Sequence, residues 1–310
     1  MSQAQKSEVI RGFSRGWRFL RKPLREKVRS IGVRWSATLA KIPKLIRLPF
    51  GAWWILRKDN VGEPLLAGEF ETAELAFVER FLQPGMTVLD VGAHHGLYSL
   101  LASERVAAAG RVFAFEPSPR ERRALRMNLF INLVSNVSVQ GLALGRENGE
   151  QNLFVVQGSQ RGCNSLRPPE VFSATTPIRV RVARLDEWLM EQGIDHVDFI
   201  KLDVEGAELD ALKGGAQLFE SRPRPTVLAE VQDVRTRPWG YPAIAIIDYL
   251  ADRGYKWFRI LGGGSVEPLD LSFRDFDGNF IACPEESLGT LKEMGSDPQA
   301  VDPGTYGSNH

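Results

Sequence analysis

The sequence predicts an α/β protein in which helices cover both faces of a mostly parallel sheet. Short apolar runs that are typical of buried strands alternate with helical stretches, and turns containing glycine or proline separate them. The chain has 310 residues, of which 43% are hydrophobic and 25% charged, so it can form one large globular domain with an appendage. The alternation favours βαβ units over an all-helical fold.

Residues 1–49 form the appendage, a basic arm with a helical pattern. Between Ile10 and Ile31, apolar residues recur at spacings of three and four, and lysine and arginine fill the gaps. Pro23 is expected to divide this helix. Residues 1–60 hold 15 bases and three acids, whereas the rest of the chain holds 24 bases and 35 acids. The arm is therefore expected to pack on its own domain or to be loosely ordered, with an interfacial helix on an anionic membrane as the alternative.

Residues 50–285 carry the regular α/β pattern. The predicted elements are, in order, a helix at 73–82 capped by Thr72, a strand at 87–91, a helix at 96–108, a strand at 111–115, a helix at 119–131, strands at 137–140 and 197–202, a helix at 206–213, a strand at 226–231, a helix at 242–253 and a closing pair of edge strands at 255–260 and 279–283.

Two expectations concern large apolar side chains. In the helix at 119–131, Leu125, Leu129 and Phe130 are expected to point inward. Trp53 and Trp54 are expected to pack against the core, with an aromatic belt at a membrane as the alternative.

Two segments depart from the α/β pattern. Residues 145–184 are rich in glycine and contain the pair Pro168-Pro169, so they are expected to form an insertion of loop and hairpin character. Residues 286–310 are rich in Gly, Asp, Pro and Ser, which predicts a flexible tail.

The turn after the first predicted strand of the sheet is the first candidate site. Asp90 ends the strand, and Gly92 and Gly96 bracket a loop that opens a helix. Glycines let a ligand approach the backbone, and a helix N-terminus offers free N–H groups. The spacing differs from the G-x-G-x-x-G fingerprint of dinucleotide-binding turns. A plain tight turn is the alternative interpretation.

Two further groups of polar residues follow predicted strands. Glu116 ends the next strand and is placed to accept the ribose hydroxyls of a nucleoside. Lys201, Asp203 and Glu205 alternate at the end of a later strand, and Glu208 follows one helical turn later. Such a cluster is typical of a site, although a solvated strand end with ion pairs has the same pattern.

Three motifs together resemble the FkbM-type methyltransferases. They are VLDVGAHHGLYSLLAS at 88–103, FAFEPSP at 113–119 and DFIKLDVEGAELDALKGG at 198–215, and the similarity extends over 50–285. The resemblance implies a Rossmann-like, seven-stranded methyltransferase sheet that binds S-adenosyl-L-methionine at the carboxyl ends of its strands. By position, it implies a set of cofactor-binding residues: Asp90, Gly92, Ala93, His94, Gly96, Glu116, Ala143 and Asp203. Asparagine is more typical of the family at His94.

Methyl transfer to a hydroxyl requires a proton acceptor and a neighbour for the cationic sulfur. Asp203 suits the sulfur and the geometry of the site, and Glu205 or His95 suits the proton. Asp203, Glu205 and Glu230 could together hold Mg²⁺, but their spacing does not require it, and no metal is predicted.

The predicted function is O-methylation of a hydroxyl of a sugar, glycolipid or secondary metabolite. A nicotinamide-dependent oxidoreductase and a non-catalytic cofactor-binding module are the alternatives. A nucleic-acid substrate is disfavoured because the Asn/Asp-Pro-Pro-Tyr/Phe motif of amine methylation is absent. The acceptor and the oligomeric state stay open.

The sequence also predicts a cytoplasmic protein, with peripheral membrane contact through the arm. Cys163 and Cys283 form no CxxC motif, and the early apolar residues are interrupted by arginine, unlike a signal peptide. The apolar stretch at 48–56 is shorter than the roughly 20 residues of a bilayer span.

Overall fold

The apolar runs that predict strands come together as one large sheet in the computed structural model of the protein. The structure describes residues 44–158, 160–272 and 276–295. Residues 1–43, which carry the helical pattern of the predicted arm, lie outside the described residues. From Leu45 onward the described chain belongs to one compact unit.

The strands and helices alternate as the sequence pattern predicts. The strands are β1 (Leu45–Arg47), β2 (Trp53–Ile55), β3 (Thr87–Val91), β4 (Arg111–Phe115), β5 (Val137–Gln140), β6 (Ala143–Leu144), β7 (Gly149–Val156), β8 (Thr175–Ala183), β9 (Phe199–Leu202), β10 (Thr226–Gln232), β11 (Tyr255–Ile260), β12 (Val266–Pro268) and β13 (Asp277–Pro284). The α-helices are α1 (Gly62–Ala67), α2 (Thr72–Phe81), α3 (Leu97–Val106), α4 (Pro119–Ile131), α5 (Leu185–Gln192), α6 (Glu208–Gly214), α7 (Ala216–Glu220), α8 (Asp233–Thr236), α9 (Ile244–Ala251) and α10 (Leu288–Gly295).

The main sheet has eight strands in the order β12-β11-β13-β10-β9-β3-β4-β5. The five neighbouring strands β10, β9, β3, β4 and β5 are parallel. The pairs that involve β11, β12 and β13 are antiparallel. An α/β protein with a mostly parallel sheet is therefore confirmed. The carboxyl ends of β3, β4, β9 and β10 meet at one edge of this sheet, and this edge carries the predicted site residues.

The alternation of side chains in β3 explains why helices lie on both faces. All five residues of the strand are buried. Val88 packs in a cluster with Phe77 and Leu101, whereas Leu89 lies in the opposite cluster with Trp188. Because successive side chains of a strand point to opposite faces, a continuous apolar run requires a cover on each face.

Two details of the predicted sheet are wrong. The structure has an eighth strand, because the turn at Gly262–Gly264 lets Val266–Pro268 pair back on β11. β13 is not an edge strand, since it lies between β10 and β11 and pairs with both.

The prediction of a flexible tail from residue 286 is wrong up to residue 295. A short 3-10 turn, Glu285–Ser287, leads into α10. Leu291 is buried in the cluster on one face of the main sheet, and Leu288 packs against that cluster. Their spacing of three is that of a helix, so burial of these two leucines explains the helix.

Helix α2 begins one residue earlier than predicted. Glu71 occupies the N-cap position in the left-handed backbone region, and Thr72 is the first helical residue rather than the cap. The left-handed conformation directs the Glu71 side chain to Tyr98, whose hydroxyl donates to it at 2.6 Å.

The segment at 145–184 contains the antiparallel pair β7 and β8, which with β6 forms a separate three-stranded sheet. The other small sheet pairs β1 with β2. Among the described residues, no helix is both long enough and apolar enough to cross a bilayer.

Candidate active site

A cleft of about 1240 Å³, counted out to open solvent, lies at the carboxyl ends of the parallel strands. Most residues that the sequence assigned to the site line it together: Asp90, Gly92, Ala93, His94, His95, Glu116, Ala143, Asp203 and Glu205. Gly96 does not line the cleft. It begins α3 in the left-handed region, and a Cβ there would lie 2.3 Å from Cδ1 of Leu125. Gly96 therefore has a role in helix packing, and its contact with a cofactor stays a prediction.

Gly92 brings the turn after β3 against the segment after β9. Its φ of +87° favours glycine, and a Cβ atom would lie 1.7 Å from the carbonyl oxygen of Asp203. The N–H groups of Gly92 and Ala93 both donate to the carbonyl oxygen of Phe115 at the end of β4. This turn thus joins the ends of three strands at the cleft.

Glu116 is buried and bonded to the backbone on both sides. One oxygen accepts the His94 N–H at 2.9 Å, and the other accepts the Ser118 N–H at 2.8 Å. Burial raises the pKa of Glu116 to about 8. Each carboxylate oxygen has two lone pairs, so each keeps one acceptor position for a ligand hydroxyl.

Asp90 has one carboxylate oxygen without a partner. Its Oδ2 accepts from the Ser99 hydroxyl at 2.5 Å, and its Oδ1 is buried without a hydrogen bond. Burial raises the pKa of Asp90 above its usual value. An unpaired buried acceptor is costly, which indicates that a ligand donor belongs here.

Lys201 is a buried cation between several carboxylates. Its ammonium lies 2.6 Å from Oδ2 of Asp203 and 5.1 Å from the centre of the Tyr98 ring. Burial lowers the pKa of Lys201, but the carboxylates of Asp203, Asp90 and Glu71 outweigh that effect and raise it above its usual value. Lys201 therefore stays charged and fixes the position of the Asp203 carboxylate.

Glu205 lies in a strained loop beside a cation. Its φ is +57°, and one of its carboxylate oxygens lies 2.9 Å from Nε of Arg235. Its carbonyl oxygen accepts from the Ser165 hydroxyl at 2.7 Å. Burial raises the pKa of Glu205 to about 8, although Arg235 opposes this shift. Left-handed non-glycine residues are often retained at functional sites, and this one presents a basic carboxylate to the cleft.

Glu208 stabilises that loop through hydrogen bonds to its backbone. It is buried, and one of its carboxylate oxygens accepts the N–H groups of Val204 and Gly206 at 2.9 and 3.2 Å. Glu208 does not line the cleft. It therefore holds the backbone on either side of Glu205 in place.

Asp203, Glu205 and Glu230 can bring one oxygen each within 4.8 Å of the others, the arrangement that the sequence left open for Mg²⁺. Two cations already neutralise this group, because Lys201 pairs with Asp203 and Arg235 pairs with Glu205. Burial and the neighbouring carboxylates raise the pKa of Glu230 well above its usual value, and a protonated carboxyl is a poor metal ligand. The absence of a metal stays a prediction.

His94 and His95 stack with ring centres 3.7 Å apart. Burial lowers the pKa of His94 to about 4, and burial and the His94 ring lower the pKa of His95 further below its usual value. His95 is buried, and its Nδ1 lies 3.8 Å from Oδ2 of Asp59. A group with a lowered pKa is a weak base, so the opposite pKa shifts of the two residues favour Glu205 over His95 as proton acceptor.

The insertion supplies one wall of the cleft. Leu153, Asn164 and Leu166 line it next to Leu142 and Ala143. The Asn164 side-chain oxygen accepts the Val156 N–H at 2.8 Å, so the wall is held by the β7 strand itself.

Sequence patterns missed Glu71, Tyr98 and Arg235, among other residues that line the cleft. Glu71 and Tyr98 line the cleft and bond to each other, and burial raises the pKa of Glu71 to about 7. Tyr98 is the second residue after the glycine turn, and this position in the sequence could have indicated that it lies at the cleft. Glu71 precedes a helix outside the motifs, and no local pattern distinguishes it.

The sequence of residues 90–257 matches the family model described as Methyltransferase FkbM domain. The curated relatives include the AMB antimetabolite synthetase AmbE of Pseudomonas aeruginosa, 31% identical over 208 residues, which are 56% of this chain and 10% of the relative. The 2-O-methyltransferase NoeI of Sinorhizobium fredii is 26% identical over 54% of this chain and 72% of its own length. The 31-O-demethyl-FK506 methyltransferase FkbM of Streptomyces tacrolimicus is 28% identical over 63% and 84%.

Among solved structures, the methyltransferase FkbM of Methylobacillus flagellatus KT is 19% identical, with a TM-score of 0.41 over 73% of this chain and 56% of that chain. The chain therefore spans a tenth of AmbE and little more than half of this structure.

Proposed function

Because the chain belongs to the family of FkbM-domain methyltransferases, we propose that it transfers a methyl group from S-adenosylmethionine to a hydroxyl oxygen of a small molecule or glycan. The observation that carries this proposal is the excess of carboxyl groups over cations in the cleft. Carboxyl groups outnumber cations among its lining residues, which are Glu71, Asp90, Glu116, Asp203, Glu205 and Glu230 against Lys201 and Arg235.

The raised pKa values of Glu116, Glu205 and Glu230 keep these carboxyls largely protonated in the free protein, and a cationic ligand favours their ionised forms. The cleft therefore discriminates between the candidate cofactors by the charge that each one brings. S-adenosylmethionine carries a cationic sulfur and an ammonium group, which carboxylates stabilise. A nicotinamide dinucleotide carries a pyrophosphate, which the same carboxylates repel and which requires a cluster of free N–H donors. At Gly92 and Ala93 the N–H groups already donate to Phe115, so the turn is a poor pyrophosphate site. The charge thus supports S-adenosylmethionine over a dinucleotide.

The residues present fit S-adenosylmethionine. Glu116 keeps acceptor positions for the ribose hydroxyls, and the unpaired Oδ1 of Asp90 suits a donor such as the ammonium group. Leu142 and Ala143 offer an apolar surface for the adenine. Asp203, fixed by Lys201, is the candidate neighbour of the sulfur.

When bound, the cofactor supplies a methyl group on a cationic sulfur, whose carbon–sulfur bond breaks as the acceptor oxygen takes the methyl carbon. The acceptor hydroxyl must then give up its proton. Glu205 is the side chain suited to accept it, because burial raises the pKa of this carboxyl to about 8 and thereby makes it a stronger base than an exposed carboxylate. Arg235 and the Ser165 hydroxyl hold Glu205 in position. The Asp203 carboxylate would stabilise the positive charge of the bound sulfonium.

Two relatives support a hydroxyl as acceptor, since the names of NoeI and of the Streptomyces tacrolimicus enzyme both specify methylation at oxygen. The hairpin insertion lies at the cleft and is the candidate determinant of which hydroxyl compound enters.

The proposal is tested by methyl transfer from labelled S-adenosylmethionine to a panel of sugars, glycolipids and hydroxylated metabolites, with products identified by mass spectrometry. We expect labelled ether products from the wild-type protein. Glu205→Gln should reduce kcat with little change in cofactor affinity, whereas Glu187→Gln, on the outer side of α5, should change neither. Equal turnover by wild type and Glu205→Gln would remove Glu205 from the mechanism, and products labelled at nitrogen or carbon would overturn the acceptor class.

A further inference from the structure

Phe130 does not point inward as its place in the helical pattern predicts. Its side chain is 73% exposed, at the last turn of α4, and Leu133, just beyond the helix, is 87% exposed. Leu133 also has a φ of +54°, a backbone region that leucine rarely adopts. The fold therefore holds an exposed leucine in a strained conformation without gaining burial from it.

The β1–β2 hairpin extends this apolar region. The Trp53 N–H donates to the side-chain oxygen of Asn132, and the amide nitrogen of Asn132 donates back to the Trp53 carbonyl, both at 2.7 Å. Strand pairing sets Leu45, Arg47 and Trp53 on the same side of the hairpin, whereas Trp54 points the other way and is buried. Trp53 is 46% exposed, so the expectation of core packing holds for Trp54 alone.

We name the exposed apolar side chains of the hairpin and of α4 the hairpin–helix face: Leu45, Trp53, Met127, Phe130 and Leu133.

Positive charge surrounds this face. Arg47, Arg123 and Arg126 are exposed on the same two elements, and Arg47 lies 6.0 Å from the centre of the Trp53 ring. Residues 44–58 hold four bases and no acid, and residues 122–140 hold three bases and no acid. From residue 61 onward the chain as a whole has more acids than bases, 35 against 24, so these two segments are more basic than the rest of the domain.

The charge identifies the kind of partner. Residues 1–43 are themselves basic, with 11 bases and two acids, so they offer no charge complementary to the face. A second copy of the face would offer none either. A partner that is anionic at its surface and apolar beneath satisfies both the arginines and the exposed Phe130 and Leu133. An anionic membrane has this chemistry.

We propose that the hairpin–helix face docks on an anionic lipid membrane. Phe130, Leu133 and Trp53 enter the boundary between headgroups and acyl chains, and Arg47, Arg123 and Arg126 contact the lipid phosphates. Because Trp53 faces outward and the adjacent Trp54 lines the cleft, docking brings the cleft close to the membrane surface. The inference concerns binding alone and stands whether or not the proposed methyl transfer is correct.

The test is co-sedimentation of the full-length protein with vesicles of phosphatidylcholine and phosphatidylserine, compared with phosphatidylcholine alone. We expect binding to the anionic vesicles. Phe130→Ser and Leu133→Asn should each lower the partition constant about tenfold, because each removes a large apolar side chain from the lipid boundary. Phe172→Ser and Met190→Ser are matched controls, exposed elsewhere on the domain, and should have no effect.

Leu133→Asn separates membrane binding from folding. Asparagine adopts the left-handed region more readily than leucine, so this variant should keep or raise the melting temperature while it loses vesicle binding. The double variant Arg123→Glu with Arg126→Glu should lower partition about a hundredfold, at roughly tenfold for each reversed charge, and Arg181→Glu should not.

Three results would overturn the proposal. The first is unchanged vesicle binding by the Phe130, Leu133 and arginine variants, which would assign any binding to the arm. The second is loss of vesicle binding in the arginine variants alone, which would show attraction to a polyanionic surface without insertion of Phe130 and Leu133. The third is self-association of the wild-type protein that Phe130→Ser abolishes, measured by sedimentation velocity, which would make the face a contact between copies.

Discussion

Replacing Glu116 by glutamine exchanges a carboxylate oxygen for an amide group that donates hydrogen bonds. Both oxygens of Glu116 accept a backbone N–H, from His94 and from Ser118. Whichever way the amide turns, its nitrogen meets one of these N–H donors, and one acceptor position for the ribose is lost. Leaving a buried hydrogen-bonding group without its partner costs about 1–3 kcal/mol, so we expect affinity for S-adenosylhomocysteine to fall about 5- to 150-fold.

The stability of the free protein should change less than the affinity. Burial raises the pKa of Glu116 to about 8, so near neutral pH the folded protein already holds this carboxyl largely protonated. Exchange for a neutral amide therefore removes little charge, and the melting temperature should move by only a few degrees.

Isothermal titration calorimetry with S-adenosylhomocysteine measures the effect, and Glu121→Gln is the matched control. Glu121 is buried and bonded to Ser118 and Arg120, and it does not line the cleft. Equal affinity in wild type and Glu116→Gln would refute the assignment of the ribose to Glu116. An equal loss in Glu121→Gln would show that disturbance of the loop, rather than a lost ligand bond, causes the weakening.

Three further predictions follow from the same geometry. Gly92→Ala should lower the free energy of unfolding on the order of 3 kcal/mol or more, because its Cβ meets the Asp203 carbonyl oxygen. The control is Gly262→Ala, whose Cβ has no neighbour within 4 Å. Thermal unfolding measures both variants, and unchanged stability in Gly92→Ala would contradict the close approach. The turnover rate should rise with pH up to about 8, as Glu205 ionises, and Glu205→Gln should lose this rise; a wild-type profile that is flat between pH 6 and 9 speaks against Glu205 as base. The stability of the free protein should fall as pH rises from about 5 to 8. The pKa values of Glu116 and Glu205 are raised in the folded state, so the unfolded chain releases these protons at lower pH. A melting temperature that increases over this range would contradict the burial of these groups.

The metal question has its own test. Because Lys201 and Arg235 already neutralise Asp203 and Glu205, we expect turnover to be unchanged by a chelator such as EDTA. Loss of turnover on chelation, with recovery on addition of Mg²⁺, would show that the carboxylates bind a metal.

The parallel part of the sheet and its site residues could be predicted because both depend on local patterns. A buried parallel strand is a continuous apolar run, and a polar residue directly after it must lie at the carboxyl edge of the sheet. Glu116 and Asp203 follow this rule, and Asp90 is the penultimate residue of β3. Gly92 could be assigned to a turn, but its approach to Asp203 depends on a contact more than a hundred residues away in the chain.

The remaining features depend on tertiary contacts that no local pattern encodes. Glu71 reaches the cleft because of a left-handed N-cap, and Gly96 leaves it because Leu125 packs against its Cα. Phe130 satisfies the helical period yet lies outside, since α4 ends there and the β1–β2 hairpin bonds to Asn132 beside it. Burial of Leu291 likewise extends the fold into a segment whose composition predicts a tail.

A crystal structure with S-adenosylhomocysteine tests the central claim most directly. The account predicts that both ribose hydroxyls lie within hydrogen-bonding distance of the Glu116 carboxylate, with the sulfur beside Asp203 and the adenine against Leu142 and Ala143. A ligand bound outside this cleft, or a ribose that does not contact Glu116, would contradict it.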